Sequence, residues 1–219
     1  MRAQHTVAIV LAAGRSSRMG TPKPLIRISG RPLLELTLDA ISRSDVAEVV
    51  VVLGHEADLV RKEVFFGDAR VVVNPDYAQG LSTSIRAGVR AAGAAAAYLF
   101  VLADEPFVSP TTYDAILHAW RPHGPRLVIP IYRGLRGNPV LVDASLVSEM
   151  ETLSGDTGFR ALFPAHAGDI LTLDVDDPGI LVDLDHPDQL PALEEGIKSG
   201  RPMKETLARL VGNDPERRP

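Results

Sequence analysis

The stretch Val7-Ala8-Ile9-Val10-Leu11-Ala12-Ala13-Gly14-Arg15-Ser16-Ser17-Arg18-Met19-Gly20-Thr21-Pro22-Lys23-Pro24-Leu25 decides the class of the fold. It opens with a short unbroken aliphatic run, the pattern of a strand covered on both faces. It then passes at once into a glycine-containing polar loop. Glycines and small residues let backbone N–H groups approach an anion closely. Arg15, Arg18 and Lys23 add three positive charges. A triphosphate needs both, amide donors for geometry and cations for the charge that grows in a transition state. In an open α/β sheet, ligands bind beyond the carboxyl ends of the strands, where this loop lies.

Two familiar phosphate loops are excluded. The Walker pattern requires four residues between its glycines and a Lys directly after the second, whereas five residues separate Gly14 from Gly20 and Lys23 comes later. The Gly-x-Gly-x-x-Gly dinucleotide fingerprint is absent.

Working outward, further strands are expected at Val49–Leu53, Arg70–Val73, Tyr98–Leu102 and Leu127–Pro130, with the first at Val7–Leu11. Helices are expected at Pro32–Arg43, with Pro32 in the first helical position, and at Ala57–Val64, Thr83–Ala92 and Thr111–Trp120. Ser109-Pro110 supplies a cap and a first-turn proline for the last of these. Such alternation implies right-handed βαβ units and a mostly parallel open sheet. The second half is less regular. Strands are expected at Asn138–Val142 and Ile170–Asp174, and short helices at Ala144–Leu153, Thr157–Phe163 and Pro187–Gly196. One domain is expected over residues 1–211, followed by a frayed tail over 212–219.

Composition narrows the function. The 219 residues carry 45% hydrophobic content, enough for a full core without staples. A net charge of −5 argues against broad electrostatic binding of nucleic acid or an anionic membrane. With no cysteine, thiolate catalysis, disulfides and Cys-based zinc sites are excluded. None of the six histidines lies in a nucleophile motif. Arg2 before the apolar run loosely mimics a secretory signal, but the run is short for one, and a buried strand entering a glycine loop explains both halves. No apolar stretch is long enough to span a membrane. A cytoplasmic protein is expected.

The run Leu-Ala-Ala-Gly-x-Ser-x-Arg-Met-Gly-x-x-Lys, Leu11 to Lys23 here, resembles that of the MobA-like nucleotidyltransferase superfamily, and within it the molybdenum cofactor cytidylyltransferases. The resemblance covers nearly the whole chain. It implies a single Rossmann-like domain with helices on both faces of the sheet. It implies that Leu11, Ala12, Ala13 and Gly14 touch the nucleotide and that Arg18 and Lys23 hold the triphosphate.

Other pieces follow. Asn74-Pro75-Asp76-Tyr77-Ala78-Gln79-Gly80-Leu81-Ser82-Thr83-Ser84 follows a strand and opens a helix, and helix N-termini suit polar or anionic groups. The resemblance gives Gly80, Ser82 and Ser84 contacts to base and ribose. Asp104 ends the strand Tyr98–Leu102, well placed for Mg²⁺, which takes few protein oxygens and shares phosphate oxygens and waters. The resemblance makes Asp104 a metal ligand, completed by Asp183 of Val182-Asp183-Leu184-Asp185-His186-Pro187-Asp188. Asp185 is expected to cap the next helix and His186 to be a turn residue. Glu105 stands where many relatives carry Gln or Met; it is either a carboxylate that supports the site from behind or a helix-cap charge, and the cap reading is preferred. Gly137-Asn138-Pro139 replaces the Gly-His-Pro of relatives. Asn138, with Gly155 and Asp156 of the Gly-Asp-x-Gly run, is an acceptor-side candidate. His55 keeps two readings, near the base or in a loop without a role.

The expected chemistry is direct in-line displacement. An acceptor phosphate attacks the α-phosphorus, Mg²⁺ lies on Asp104 and Asp183, and Arg18 and Lys23 steady the leaving pyrophosphate. Transfer of CMP from CTP to a molybdopterin-type cofactor, with a molybdoenzyme as delivery target, leads. Ala13 favours it, because guanylyl-transferring relatives more often carry Gly-Gly at Ala13-Gly14. GMP transfer, a different phosphorylated acceptor, and a non-catalytic delivery module are the alternatives.

Overall fold

The computed structural model describes residues 5–14, 21–120, 124–184 and 189–213. The first strand, β1 (Thr6–Ala12), is buried along its whole length. After the glycine loop come a 3-10 turn at Lys23–Leu25, the hairpin β2 (Arg27–Ile28) and β3 (Arg31–Pro32), and helix α1 (Leu33–Ser42). Then follow β4 (Glu48–Leu53), α2 (Ala57–Glu63), β5 (Arg70–Val73), α3 (Leu81–Ala92), β6 (Ala97–Leu102) and α4 (Pro110–Ala119). The second half holds β7 (Leu127–Tyr132), β8 (Leu135–Arg136), β9 (Val140–Asp143), α5 (Val147–Thr152), β10 (Ile170–Asp174), α6 (Gln189–Lys198) and α7 (Met203–Asn213).

The main sheet runs β10-β7-β9-β6-β1-β4-β5, with β8 added to β7. β1 pairs in parallel with β4 and β6, β4 with β5, and β7 with β10. β9 is antiparallel to both β6 and β7, and β8 to β7. The mostly parallel open sheet is therefore as expected. From β1 the chain steps to β4 and β5 on one side, then returns to β6 on the other. Strand order reverses between β1 and β6, and at such a reversal the carboxyl ends of the strands open a crevice.

Strand alternation sends side chains to two layers. Ala8, Val10 and Ala12 meet Leu34, Leu38 and Ile41 of α1 and Tyr113 and Ile116 of α4. Val7, Ile9 and Leu11 meet Ile85 and Val89 of α3 and Met150 of α5. A side chain at Gly88 would collide with Ile9, so that glycine sets how closely α3 lies on β1. A third cluster joins Ile26, Ile28 and Leu33, just after Lys23, to Val182 and Leu184, which flank Asp183. Leu193 of α6 and Leu207 of α7 close it. The C-terminal helices thus clamp two arms that come from opposite ends of the chain.

Some expectations are corrected. Pro32 is not in the first helical turn; it pairs with Arg27 in the β2–β3 hairpin, with an extended ψ of 143°, and α1 starts one residue later. The β9 strand starts at Val140, after Pro139 rather than at Asn138. Thr157–Phe163 forms only a 3-10 turn at Phe159–Ala161. Burial of Phe159 against Phe100, with ring centroids 4.2 Å apart, holds this segment in place of helical bonding. Helix α7 reaches Asn213, past the expected start of the tail, and residues 214–219 lie outside the described residues. Ser109 caps α4 as expected, accepting from the Thr111 N–H. Among the described residues no helix is long and apolar enough to cross a membrane.

Candidate active site

The crevice between the carboxyl ends of β1 and β6 holds a cleft of about 510 Å³. Its floor is the end of β1 and the start of the glycine loop, Leu11 to Gly14. One wall carries Lys23, Pro24 and Leu102 to Asp104, and the other carries Tyr77, Ala78, Gly80, Leu81 and Ser84, with Asp156 above them. Most of the residues expected at the site are therefore brought together. Arg15, Arg18, Asp185 and His186 lie outside the described residues.

The charged wall is short and well braced. Pro22 and Pro24 flank Lys23, and a fixed φ at both limits the conformations of the loop. Two backbone bonds close the turn, Leu25 N–H to Pro22 O at 2.9 Å and Ile26 N–H to Lys23 O at 3.1 Å. Opposite, the Ala103 N–H donates to Leu11 O at 3.2 Å and extends the β1–β6 pairing to the rim. Asp104 follows, and its own carbonyl accepts from the Leu184 N–H at 3.1 Å. That bond brings the segment carrying Asp183 against the segment carrying Asp104. Within this wall Lys23 Nζ donates to Asp104 Oδ2 at 2.9 Å, and both side chains are about one-fifth exposed. The pair satisfies two charges that face the cleft, and a polyanion arriving with a cation offers each a new partner.

These donors suit a hard divalent cation. Among the described residues no group of three or more His, Asp or Glu is gathered to hold a metal by itself. Asp104 and Asp183, on neighbouring segments, are the two carboxylates that would hold such a cation, the small protein share that Mg²⁺ or Mn²⁺ takes when phosphate oxygens and waters complete its shell.

The neutral wall is organised by Asn74, which is buried at the end of β5. Its Nδ2 donates to Thr83 Oγ1 at 2.8 Å and Ser84 Oγ at 3.0 Å, and its Oδ1 accepts from the Asp76 N–H at 3.0 Å. Since Ser84 Oγ accepts from Asn74, its hydroxyl proton can point to the cleft. Ser82 is fully buried behind this wall, and its N–H donates to Gly155 O at 3.1 Å. The Leu81 N–H donates to Asp156 Oδ1 at 3.2 Å, so Asp156 caps α3 from a loop far along the chain. Gly80 has φ +111°, and a Cβ there would come 2.7 Å from Asp156 N. Gly80 and Gly155 are thus in direct apposition, and the expected nucleotide and acceptor elements form one packed unit.

Behind Asp104, Glu105 is buried at 3% exposure and accepts from Asn138 Nδ2 at 2.9 Å. Asn138 is held by its N–H on Ile180 O at 3.0 Å. Glu105 is therefore not the preferred cap charge but the supporting carboxylate of the other reading, and it ties the Asp104 turn to the Gly137–Pro139 loop. Neither Asn138 nor Asp183 is among the cleft-lining residues. Burial raises the pKa of the nearby Tyr113 phenol above its ordinary value, and the Glu105 and Asp177 carboxylates push it the same way, so Tyr113 stays protonated. Sequence reasoning missed Asn74, Tyr77 and Ala78. The Asn-Pro-Asp-Tyr run after β5 was the available signal, since a polar residue ending a strand often organises the next helix start.

Comparison with known proteins places the chain. Residues 8–170 match the model of the MobA-like NTP transferase domain. Nicotine blue oxidoreductase of Paenarthrobacter nicotinovorans is 32% identical, over 83% of this chain and 93% of that protein. Molybdenum cofactor cytidylyltransferase of Escherichia coli K12 is 26% identical, over 85% of this chain and 94% of that protein. The crystal structure of Rv0371c from Mycobacterium tuberculosis H37Rv superposes with a TM-score of 0.80 and 29% identity, over 89% of this chain and 100% of that one. Its manganese complex superposes with a TM-score of 0.68 and 26% identity, over 78% and 88%. The chain belongs to the MobA-like NTP transferase family.

Proposed function

We propose that this MobA-like NTP transferase moves CMP from CTP onto a molybdopterin-type cofactor and releases pyrophosphate, with Mg²⁺ held by Asp104 and Asp183. The observation that carries the transferase reading is the Lys23–Asp104 pair at 2.9 Å, set in the crevice where strand order reverses. Support for the base and the acceptor is the likeness to the cytidylyltransferase and the Ala13 methyl in the cleft, where a glycine would leave more room for a purine.

In this mechanism the triphosphate lies along the glycine loop, with backbone N–H groups toward its oxygens. An oxygen of the acceptor phosphate attacks the α-phosphorus in line. The new P–O bond forms as the α–β bridging bond breaks, and the electron pair leaves with pyrophosphate. Lys23 transfers its charge from Asp104 to the leaving phosphates, aided by Arg18. Mg²⁺, when bound, neutralises charge at the α-phosphate. The acceptor phosphate is already an anion, so no general base is needed. Asp156, backed by Gly155, faces the acceptor side and Gly80 and Ser84 the nucleoside, while Ser82 and Asn138 support these elements from behind. The product is then passed to a molybdoenzyme.

A thermal-shift panel of CTP, GTP, ATP and UTP with Mg²⁺ tests the base. A ligand at about a hundred times its Kd stabilises by roughly 2.7 kcal/mol, about 5–10 °C for a chain of this size. A shift with CTP alone is expected. A preference for GTP would replace CMP by GMP, and no shift with any triphosphate would favour a delivery module.

One observation favours a second reading: the relative at 32% identity bears the name nicotine blue oxidoreductase. In that reading the same cleft holds a redox substrate. Loss of nicotine blue colour with a reduced nicotinamide dinucleotide, without pyrophosphate release from CTP, would select it.

A further inference from the structure

We infer that Tyr77, steered by His55, faces the nucleobase and sets how large a base the cleft admits. This rests on the transferase reading above and deepens it. Tyr77 is the one aromatic side chain among the described residues that line the cleft, and the same lining includes the small residues Ala12, Ala13, Ala78 and Gly80, with Leu11, Leu81 and Leu102 as its larger apolar members. A flat ring beside alanines and glycine makes a slot for another flat ring, and aromatic stacking is tolerant of which base is offered. Size selection then comes from what fixes the ring.

Gly54 and His55 hold it. Gly54, at the end of β4, stands behind both Tyr77 and Ala13. A Cβ on Gly54 would lie 2.6 Å from Tyr77 Cβ and 2.8 Å from Ala13 Cβ. The ring and the methyl therefore rest on one backbone atom and cannot retreat toward β4. His55 Nδ1 lies 3.3 Å from the Tyr77 hydroxyl, with the two rings tilted by 50° at 5.9 Å. His55 is itself tied to the floor, since its N–H donates to Ala13 O at 3.3 Å. The residue that narrows the floor and the ring that forms the wall thus share both a glycine and a histidine. This answers the question the sequence left open for His55: it positions Tyr77.

The test measures binding of CTP, GTP and inorganic tripolyphosphate, each with Mg²⁺, to the parent and to Tyr77→Ala, Tyr77→Phe and His55→Ala. Tripolyphosphate lacks a base, so it reports the phosphate site and the integrity of the fold. The parent is expected to bind CTP more tightly than tripolyphosphate. Tyr77→Ala should weaken CTP about tenfold, narrow its margin over GTP, and leave tripolyphosphate unchanged. Tyr77→Phe keeps the ring and should bind CTP like the parent. It should, like His55→Ala, lose part of the margin over GTP, because the ring is no longer held in one orientation. If Tyr77→Ala binds CTP as tightly as the parent while tripolyphosphate binding is intact, this inference is wrong and the transferase reading stands. If the parent binds tripolyphosphate, CTP and GTP alike, no base is read, and both fall.

Discussion

The two walls of the cleft are built on different principles. The wall that carries Asn74, Tyr77, Gly80 and Ser84 is neutral, and its polar groups bond one another through a buried asparagine. The wall that carries Lys23 and Asp104 is charged, and the ion pair between them is partly exposed. A partly exposed pair contributes little to stability, whereas a buried, hydrogen-bonded asparagine network is costly to break. The first wall therefore holds its shape before any ligand arrives, and the second is poised to exchange partners. Substitutions in the neutral wall should appear as lost stability and affinity, and those in the charged wall as lost turnover.

The largest expected effect is on the charged wall. Asp104→Ala should lower pyrophosphate release on the order of 10³-fold and leave the melting temperature unchanged. Near-normal turnover would remove Asp104 from the metal role. Lys23→Ala should lower turnover about 10²-fold, again without loss of stability; a drop in Tm instead would mean that the pair serves the fold.

The neutral wall should respond in the opposite sense. Gly80→Ala forces a side chain into left-handed backbone against the Gly155 loop, at about 1–3 kcal/mol. It should weaken both nucleotide and acceptor binding, since the two elements share this contact. Separate effects on the two ligands would divide that unit. Asn74→Ala should lower Tm by about 5–10 °C, from roughly 2–3 kcal/mol of unsatisfied buried groups, with kcat at saturating substrate little changed. The smallest effect is expected from Asn138→Ala, about 1 kcal/mol for the bond to Glu105. A marked rise in KM for the acceptor would show that Asn138 also touches substrate.

The contrast also explains what could be read in advance. Strands β1, β4, β6 and β7 are short aliphatic runs, and burial on both faces makes such runs plain in sequence; β5, at the more exposed edge, shows only as a run of three valines. The second half hides its structure because β9 enters antiparallel between parallel neighbours and much of the rest is held by 3-10 turns and single buried aromatics. Helix α7 had a signal, Pro202 followed by Leu207, Leu210 and Val211 at helical spacing, but its partners in the third cluster come from distant segments. In the site, Lys23 and Asp104 stand 81 positions apart, and no local pattern joins them; the family resemblance drew attention to both. The cap of α3 by Asp156, 75 positions away, was equally invisible, because tertiary packing alone brings a carboxylate from another loop to a helix start. Glu105 misled for a related reason: exposure, which separates a cap charge from a buried brace, depends on the Asn138 loop closing over it.

The most direct test of the central claim is pyrophosphate release from CTP and Mg²⁺ by the intact protein, with and without molybdenum cofactor. The account predicts release only when the cofactor is present, one pyrophosphate for each CMP attached, on the order of 10³-fold slower in Asp104→Ala. No release from any of the four triphosphates with the cofactor, or equal rates in the parent and Asp104→Ala, would contradict it.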